Sequence, residues 1–116
     1  MRTRSEQPDA WAAVADPRRR HILGLLAQQP RSVAALHRAV PVSQPAISQH
    51  LKVLREAGLV EFHPAGASRV YHVRPDGLAR LRAELDEFWT SALTNFKHLA
   101  DAESAAEKGP DHDDIG

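Results

Sequence analysis

The stretch whose reading decides the fold is Val42-Ser43-Gln44-Pro45-Ala46-Ile47-Ser48-Gln49-His50-Leu51-Lys52-Val53-Leu54-Arg55-Glu56-Ala57-Gly58. It is bracketed by helix start and stop signals. Ser43 suits an N-cap, since its hydroxyl accepts from the free amides of a first turn, and Pro45 follows where a missing N–H does no harm. Gly58 stands where a left-handed C-terminal residue is wanted, and Arg55 falls in the last turn, where the helix dipole favours a cation. The signals predict a helix over Gln44–Ala57, roughly 21 Å long at about 1.5 Å per residue. At about 100° per residue, Ile47, Leu51 and Leu54 share one face, flanked by Ala46, His50, Val53 and Ala57. The opposite arc carries Gln44, Ser48, Lys52 and Arg55, edged by Pro45 and Gln49, and holds no carboxylate, the only acid of the helix, Glu56, being placed near its far margin. Amides, hydroxyls and cations without acids match what base edges and phosphates accept. A solvated helix face looks the same in isolation. The rest of the chain decides between them.

With 116 residues, 42% of them hydrophobic, the chain is long enough for one domain with one modest core. The absence of cysteine excludes disulfides, thiolate metal sites and cysteine nucleophiles. No apolar run approaches the roughly 18 residues that span a membrane, and the polar N-terminus lacks the apolar heart of a signal peptide. The reading is therefore cytoplasmic, with no membrane partner. The net charge of zero hides an asymmetry: residues 1–74 hold 11 Lys/Arg against 5 Asp/Glu, and residues 75–116 hold 4 against 10. A basic front with an acidic back suits a protein that meets a polyanion with one side.

Residues 1–9 are polar and read as a flexible N-terminus. Ala10–Ala15 is a short apolar helix; Asp16 ends it and caps the next, which Pro17 opens in first position. In that second helix Ile22, Leu25 and Leu26 form a core stripe. Its triplet Arg18-Arg19-Arg20 lies in the first turn, against the helix dipole, and reads as solubility, ion pairing or phosphate contact. Ser32 caps a third helix, Val33–Ala39, with Val33 and Leu36 inward, and a short connection leads into the Ser43 helix. Two short helices so joined read as helix-turn-helix, although the turn lacks a glycine. Leu59–His63 and Arg69–Val73 alternate and are rich in β-branched and aromatic residues, with turn chemistry at 64–68. A hairpin there is a wing, and Arg69 near its tip is the candidate cation. Pro75-Asp76-Gly77 opens a long final helix with Asp76 as cap. Its apolar stripe runs Leu78, Leu81, Leu85, Phe88, Ala92, Phe96, Leu99, widened by Trp89 and Leu93. This exceeds what so small a monomer can cover, so a second copy is expected, with Trp11 and Val14 of the first helix joining Leu81, Leu85, Phe88, Trp89, Ala92, Phe96 and Leu99 in the interface. The domain covers residues 10–100. Residues 101–116 are acidic and read as a disordered tail.

This order of elements, mainly α with a small β-hairpin, resembles the ArsR-type winged helix-turn-helix repressors. The resemblance rests on Ala15-Asp16-Pro17-Arg18-Arg19-Arg20-His21-Ile22-Leu23, on Ser43 through Val60, and on Gly66 through Tyr71, and it covers roughly residues 10–95. It implies a homodimer through the first and last helices that binds an imperfect palindrome in double-stranded DNA and blocks transcription, often of its own operon. It also implies relief by an effector, here an unknown small molecule. The chain departs from the metal-sensing members: Val33-Ala34-Ala35-Leu36 stands where they carry a thiolate pair on the third helix. His98 and Asp101, three apart on the last helix, supply half of the alternative metal site, so no cofactor is expected.

The DNA-binding set expected from these readings is Ser43, Gln44, Pro45, Ser48, Gln49, His50, Lys52, Arg55 and Arg69. His50, on the flank of the buried stripe, reads either as a hydrogen-bonding structural histidine or as a DNA contact. His63 and His72 read as a cross-strand pair. Two rivals remain open: a metal-responsive repressor using His98 and Asp101, and a winged-helix protein–protein module. An enzyme is not expected, since nothing assembles a nucleophile, a base and an anion site.

Overall fold

In the computed structural model, which describes residues 9–107, the elements are α1 (Ala10–Ala15), α2 (Pro17–Gln28), β1 (Arg31–Ser32), α3 (Val33–Ala39), α4 (Gln44–Glu56), β2 (Val60–Ala65), β3 (Ser68–Val73) and α5 (Pro75–Glu107). The chain divides into two units after Leu81. The first unit holds the core. α1 to α4 each begin on a side-chain cap: Asp9 accepts from the Trp11 amide, Asp16 from those of Arg18 and Arg19, Ser32 from Ala35 and Ser43 from Ala46. Ile22, Leu26, Leu36, Ile47, Leu51, Leu54, Leu59 and Val60 are fully buried. At about 1.5–3 kcal/mol for each such side chain, this cluster dominates the stability of the unit.

The arginine triplet of α2 serves α1. Arg19 donates from Nε to the Ala13 carbonyl at 2.8 Å, and Arg20 donates from Nη1 to that of Val14 at 2.7 Å. A cation placed against its own helix dipole is thereby set on the carbonyl end of the preceding helix, where the field is favourable. Arg18 remains exposed.

Several boundaries differ from those expected. Leu23, not Leu25, completes the buried face of α2; Leu25 is half-buried. The two strands reach further into the turn, to Ala65 and Ser68, leaving Gly66 at φ 64° in the first position of a two-residue hairpin turn. Pro64 is accommodated because β2 is an edge strand, the sheet order being β1-β3-β2. The short β1, paired Arg31 to Tyr71 and Ser32 to Val70, has no counterpart in the sequence reading. Two residues leave no periodicity to detect. Asp76 is a first-turn acid of α5 rather than its cap, because Pro75 itself takes a place in the helix. Arg74 holds it with a 2.8 Å ion pair.

The second unit is the continuation of α5. It passes through Asp101, where a disordered tail was expected, to Glu107. Ala102, Ala105 and Ala106 beside Glu103 and Glu107 explain this correction, since all are strong helix formers and acidity alone does not break a helix. The expectations for residues 1–8 and 108–116 lie outside the described residues. No described helix is long and apolar enough to cross a membrane.

Gly58, at φ 79°, ends α4 as expected, and Gly77 of α5 lies directly on it: a Cβ at Gly77 would run into the Gly58 carbonyl oxygen. Gly77→Ala should therefore destabilise the protein by about 1–2 kcal/mol, although alanine is intrinsically the better helix former by about 1 kcal/mol. Gly24 is exposed in mid-helix with open space around it, so Gly24→Ala should stabilise by about 0.5–1 kcal/mol. Urea midpoints of the two variants should move in opposite directions.

Candidate nucleic-acid interface

The apolar side of α4 is sealed, with Ile47, Leu51 and Leu54 no more than 1% exposed. Ser43, Gln44, Pro45, Ser48, Gln49, Lys52 and Arg55 are all exposed on what remains. Ser43 Oγ already accepts from the Ala46 amide at 3.2 Å, which leaves its O–H and one lone pair for an outward partner. Gln44 and Ser48 line one wall of a cleft of about 360 Å³. Ser32, Val33 and Ala34 at the start of α3 and Ser68 and Arg69 of the wing line it as well. The helix and the wing tip thus share one concave, hydroxyl- and amide-lined surface.

The cations on this surface are not equivalent. Lys52 Nζ lies 3.1 Å from Glu56 Oε2, with both side chains well exposed. Such an i,i+4 pair is worth about 0.3–0.5 kcal/mol and yields readily to a phosphate. Arg55 is more firmly engaged. Its Nε donates to Glu61 Oε1 at 3.1 Å, and its guanidinium carbon lies 4.6 Å from the centre of the Phe62 ring. Arg69 lies 4.3 Å from the centre of the same ring, with no carboxylate partner among the described residues. Glu61 and Phe62 are absent from the expected set. Only the fold brings them to Arg55, and no local spacing rule marks them.

His50 corrects an expectation: the ring is half-buried, yet its Nδ1 is buried with no hydrogen-bond partner among the described residues. His63 and His72 are diagonal rather than directly opposed, since Glu61 faces His72 and His63 faces Val70. Their ring centroids are 5.5 Å apart.

On α5, Phe88, Trp89, Leu93, Phe96 and Leu99 are 54–68% exposed, and Leu85 is 37% exposed. Ala92 is exposed beside them, and Trp11 on α1 is 36% exposed. Val14 and Leu81 differ: both are half-buried against the core of the first unit and have less surface left for a partner. His98 and Asp101 are exposed, with Asp101 4.0 Å from Lys97 Nζ. Among the described residues no three metal-capable side chains come together.

Comparison with known proteins bears on this geometry. Residues 16–61 match the family model described as "Bacterial regulatory protein, arsR family". The chain is 56% identical over 97 residues to the HTH-type transcriptional regulator Rv2034 of Mycobacterium tuberculosis, covering 83% of this chain and 91% of that one. Among solved structures it resembles a possible transcriptional regulator for arsenical resistance, with a TM-score of 0.69 and 43% identity over 80% of this chain and 95% of that one. It also resembles the homodimeric winged helix-turn-helix DNA-binding domain Mb0332 from Mycobacterium bovis, with a TM-score of 0.58 and 33% identity over 70% of this chain and 75% of that one.

The Phe62 amide does most to lower the Glu61 carboxyl from its ordinary value; desolvation, the next largest effect, opposes it, and the Arg55 guanidinium adds to the lowering. A lowered pKa in the folded state gives stability that is full above the ordinary carboxylate range and lost as pH falls through the lowered value. Glu61→Gln should therefore remove part of the fall in urea midpoint between neutral pH and about pH 3, measured against the unaltered chain.

Proposed function

The chain belongs to the arsR family of bacterial regulatory proteins, and from that premise we propose that it acts as a dimeric repressor of a palindromic operator, read in the major groove by α4. The observation that carries this reading is the exposed face of α4, held outward by the burial of Ile47, Leu51 and Leu54, which offers Gln44, Ser48, Gln49, Lys52 and Arg55 and whose single acid, Glu56, is paired with Lys52 at the C-terminal end. Gln44, Ser48 and Gln49 read base edges, with the Ser43 hydroxyl beside them. Amide side chains suit this because they can pair with the adjacent donor and acceptor that adenine offers. Pro45 and His50 flank the reading face. Lys52 holds a phosphate, and Arg69 touches the backbone beside the site. Arg55, also of the expected DNA-binding set, is paired with Glu61 and meets a phosphate only by sharing or giving up that pair.

A second copy covers Trp11 and the α5 stripe of Leu85, Phe88, Trp89, Ala92, Phe96 and Leu99. Support comes from the exposure of those large apolar side chains, which water disfavours over so long a run. A two-fold axis then presents two copies of α4 to half-sites one helical turn apart, about 34–36 Å. Bound across a promoter, such a dimer excludes polymerase. A small molecule that favours the unbound dimer would relieve repression.

Selection of bound duplexes from a random pool tests the whole reading, since it returns both the site and its half-site spacing. Gln44→Ala and Gln49→Ala should relax base preference, each at a cost of about 1–3 kcal/mol where the amide makes a good pairing with a base edge. Unchanged affinity and selectivity in both variants would overturn the assignment of α4. Lys52→Ala should weaken selected and random duplexes alike and reduce the slope of log affinity against log salt by about 0.9. Phe96→Glu should turn the dimer into monomers by sedimentation, with loss of palindrome binding; a variant that stays dimeric rules out the α5 interface.

A further inference from the structure

One aromatic ring joins the wing to the end of α4. Arg55, in the last turn of α4, and Arg69, one residue into β3, both place their guanidinium carbons over Phe62, 4.6 and 4.3 Å from its centre. Two like charges at one ring repel each other, and the fold treats them unequally. Arg55 is neutralised by Glu61, to which its Nε donates at 3.1 Å. Arg69 has no carboxylate partner among the described residues, and its side chain borders the cleft that Gln44 and Ser48 line. The ring itself is well anchored. Phe62 faces Tyr71 across the strand pair, with centroids 5.3 Å apart, and Tyr71 is buried.

The chemistry of the stack matters here. A guanidinium meets an aromatic ring with its flat face, which leaves the N–H edge available to a phosphate or a base. A carboxylate would occupy that edge. Phe62 can therefore order Arg69 without consuming its donors, whereas Glu61 takes up the Nε donor of Arg55 and offsets its charge. An arginine already confined loses less rotamer freedom when it meets a phosphate.

We propose that Phe62 is a positioning residue for DNA binding: its ring holds the Arg69 guanidinium at the mouth of the α4–wing cleft with its donor edge outward, while Glu61 withholds Arg55 from the same task. This rests on the DNA-binding reading above. Phe62 touches no DNA itself and acts through Arg69.

The test is a double-mutant cycle on the full chain. Binding is followed by fluorescence anisotropy over a range of salt, on the duplex recovered by selection and on a random-sequence duplex of equal length. Arg69→Gln should weaken both by about tenfold, as expected when a charged hydrogen bond is removed, and reduce the salt slope by about 0.9. Phe62→Leu should weaken binding by about threefold, the scale of a cation–π contact at an exposed site. In the Phe62→Leu background the further loss from Arg69→Gln should shrink by the same factor, about threefold. Phe62→Tyr, which restores a ring, should bind as the unaltered chain does. Circular dichroism and thermal melting confirm that each variant is folded, and Phe62→Met replaces Phe62→Leu if the latter is not. Losses that simply multiply in the double variant overturn the proposal, as does a Phe62→Tyr protein no better than Phe62→Leu. If the unaltered chain binds neither duplex, the DNA-binding reading falls and this inference with it. Binding with independent losses sinks this inference alone.

Discussion

The grip on α4 is the constraint from which the rest follows. Ile47, Leu51 and Leu54 are sunk into a cluster built by Ile22 and Leu26 of α2, Leu36 of α3, and Leu59 and Val60 at the start of the wing. Rolling α4 by one residue, about 100°, would carry that stripe to solvent at a cost of about 1.5–3 kcal/mol for each side chain. The helix therefore has one azimuth. Because it cannot roll, the residues left outside (Gln44, Ser48, Gln49, Lys52) form a fixed pattern rather than an averaged one. Fixed donors and acceptors are what distinguish one base sequence from another.

The same cluster orients the wing. Leu59 and Val60 are fully buried, so β2 starts in the core and runs outward, and its partner β3 brings Ser68 and Arg69 back over the N-terminal half of α4. The short β1 fastens β3 from the other side. One hydrophobic cluster thus places two polar surfaces, one on a helix and one on a hairpin, on either side of a single cleft. The polar residues of the cleft need not contribute to holding it together.

Much of this is legible in the amino-acid sequence alone. Three-and-four spacing marks the helices. Ser32, Ser43 and Asp16 mark where three of them begin, because a side-chain cap is a local event that leaves a local trace. Alternation marks the wing, and the family resemblance supplies the architecture as a whole. What escapes is non-local or overridden. The pairing of Arg55 with Glu61 depends on a turn between them that no short-range rule describes. His50 lies on the flank of a buried stripe, a position compatible with a partner, yet no polar group among the described residues reaches its Nδ1. Composition misleads at the end of α5, where acidic residues among alanines continue a helix instead of ending it. The roles assigned to individual base-reading residues stay at the level of chemistry and exposure.

The arginines that reach back to the end of α1 bear on how much of the basic charge is open to a polyanion. Arg19 and Arg20 hold carbonyls of α1, Arg31 holds the Leu25 carbonyl, Arg55 holds Glu61 and Arg74 holds Asp76. Five of the basic residues in 1–74 thus already have partners within the chain, and any of them that met a phosphate would have to exchange or share that partner. Sequence-independent attraction scales with the number of phosphates neutralised. A fold that gives its arginines partners of their own weakens its hold on duplexes of the wrong sequence, because each phosphate contact then competes with an internal one.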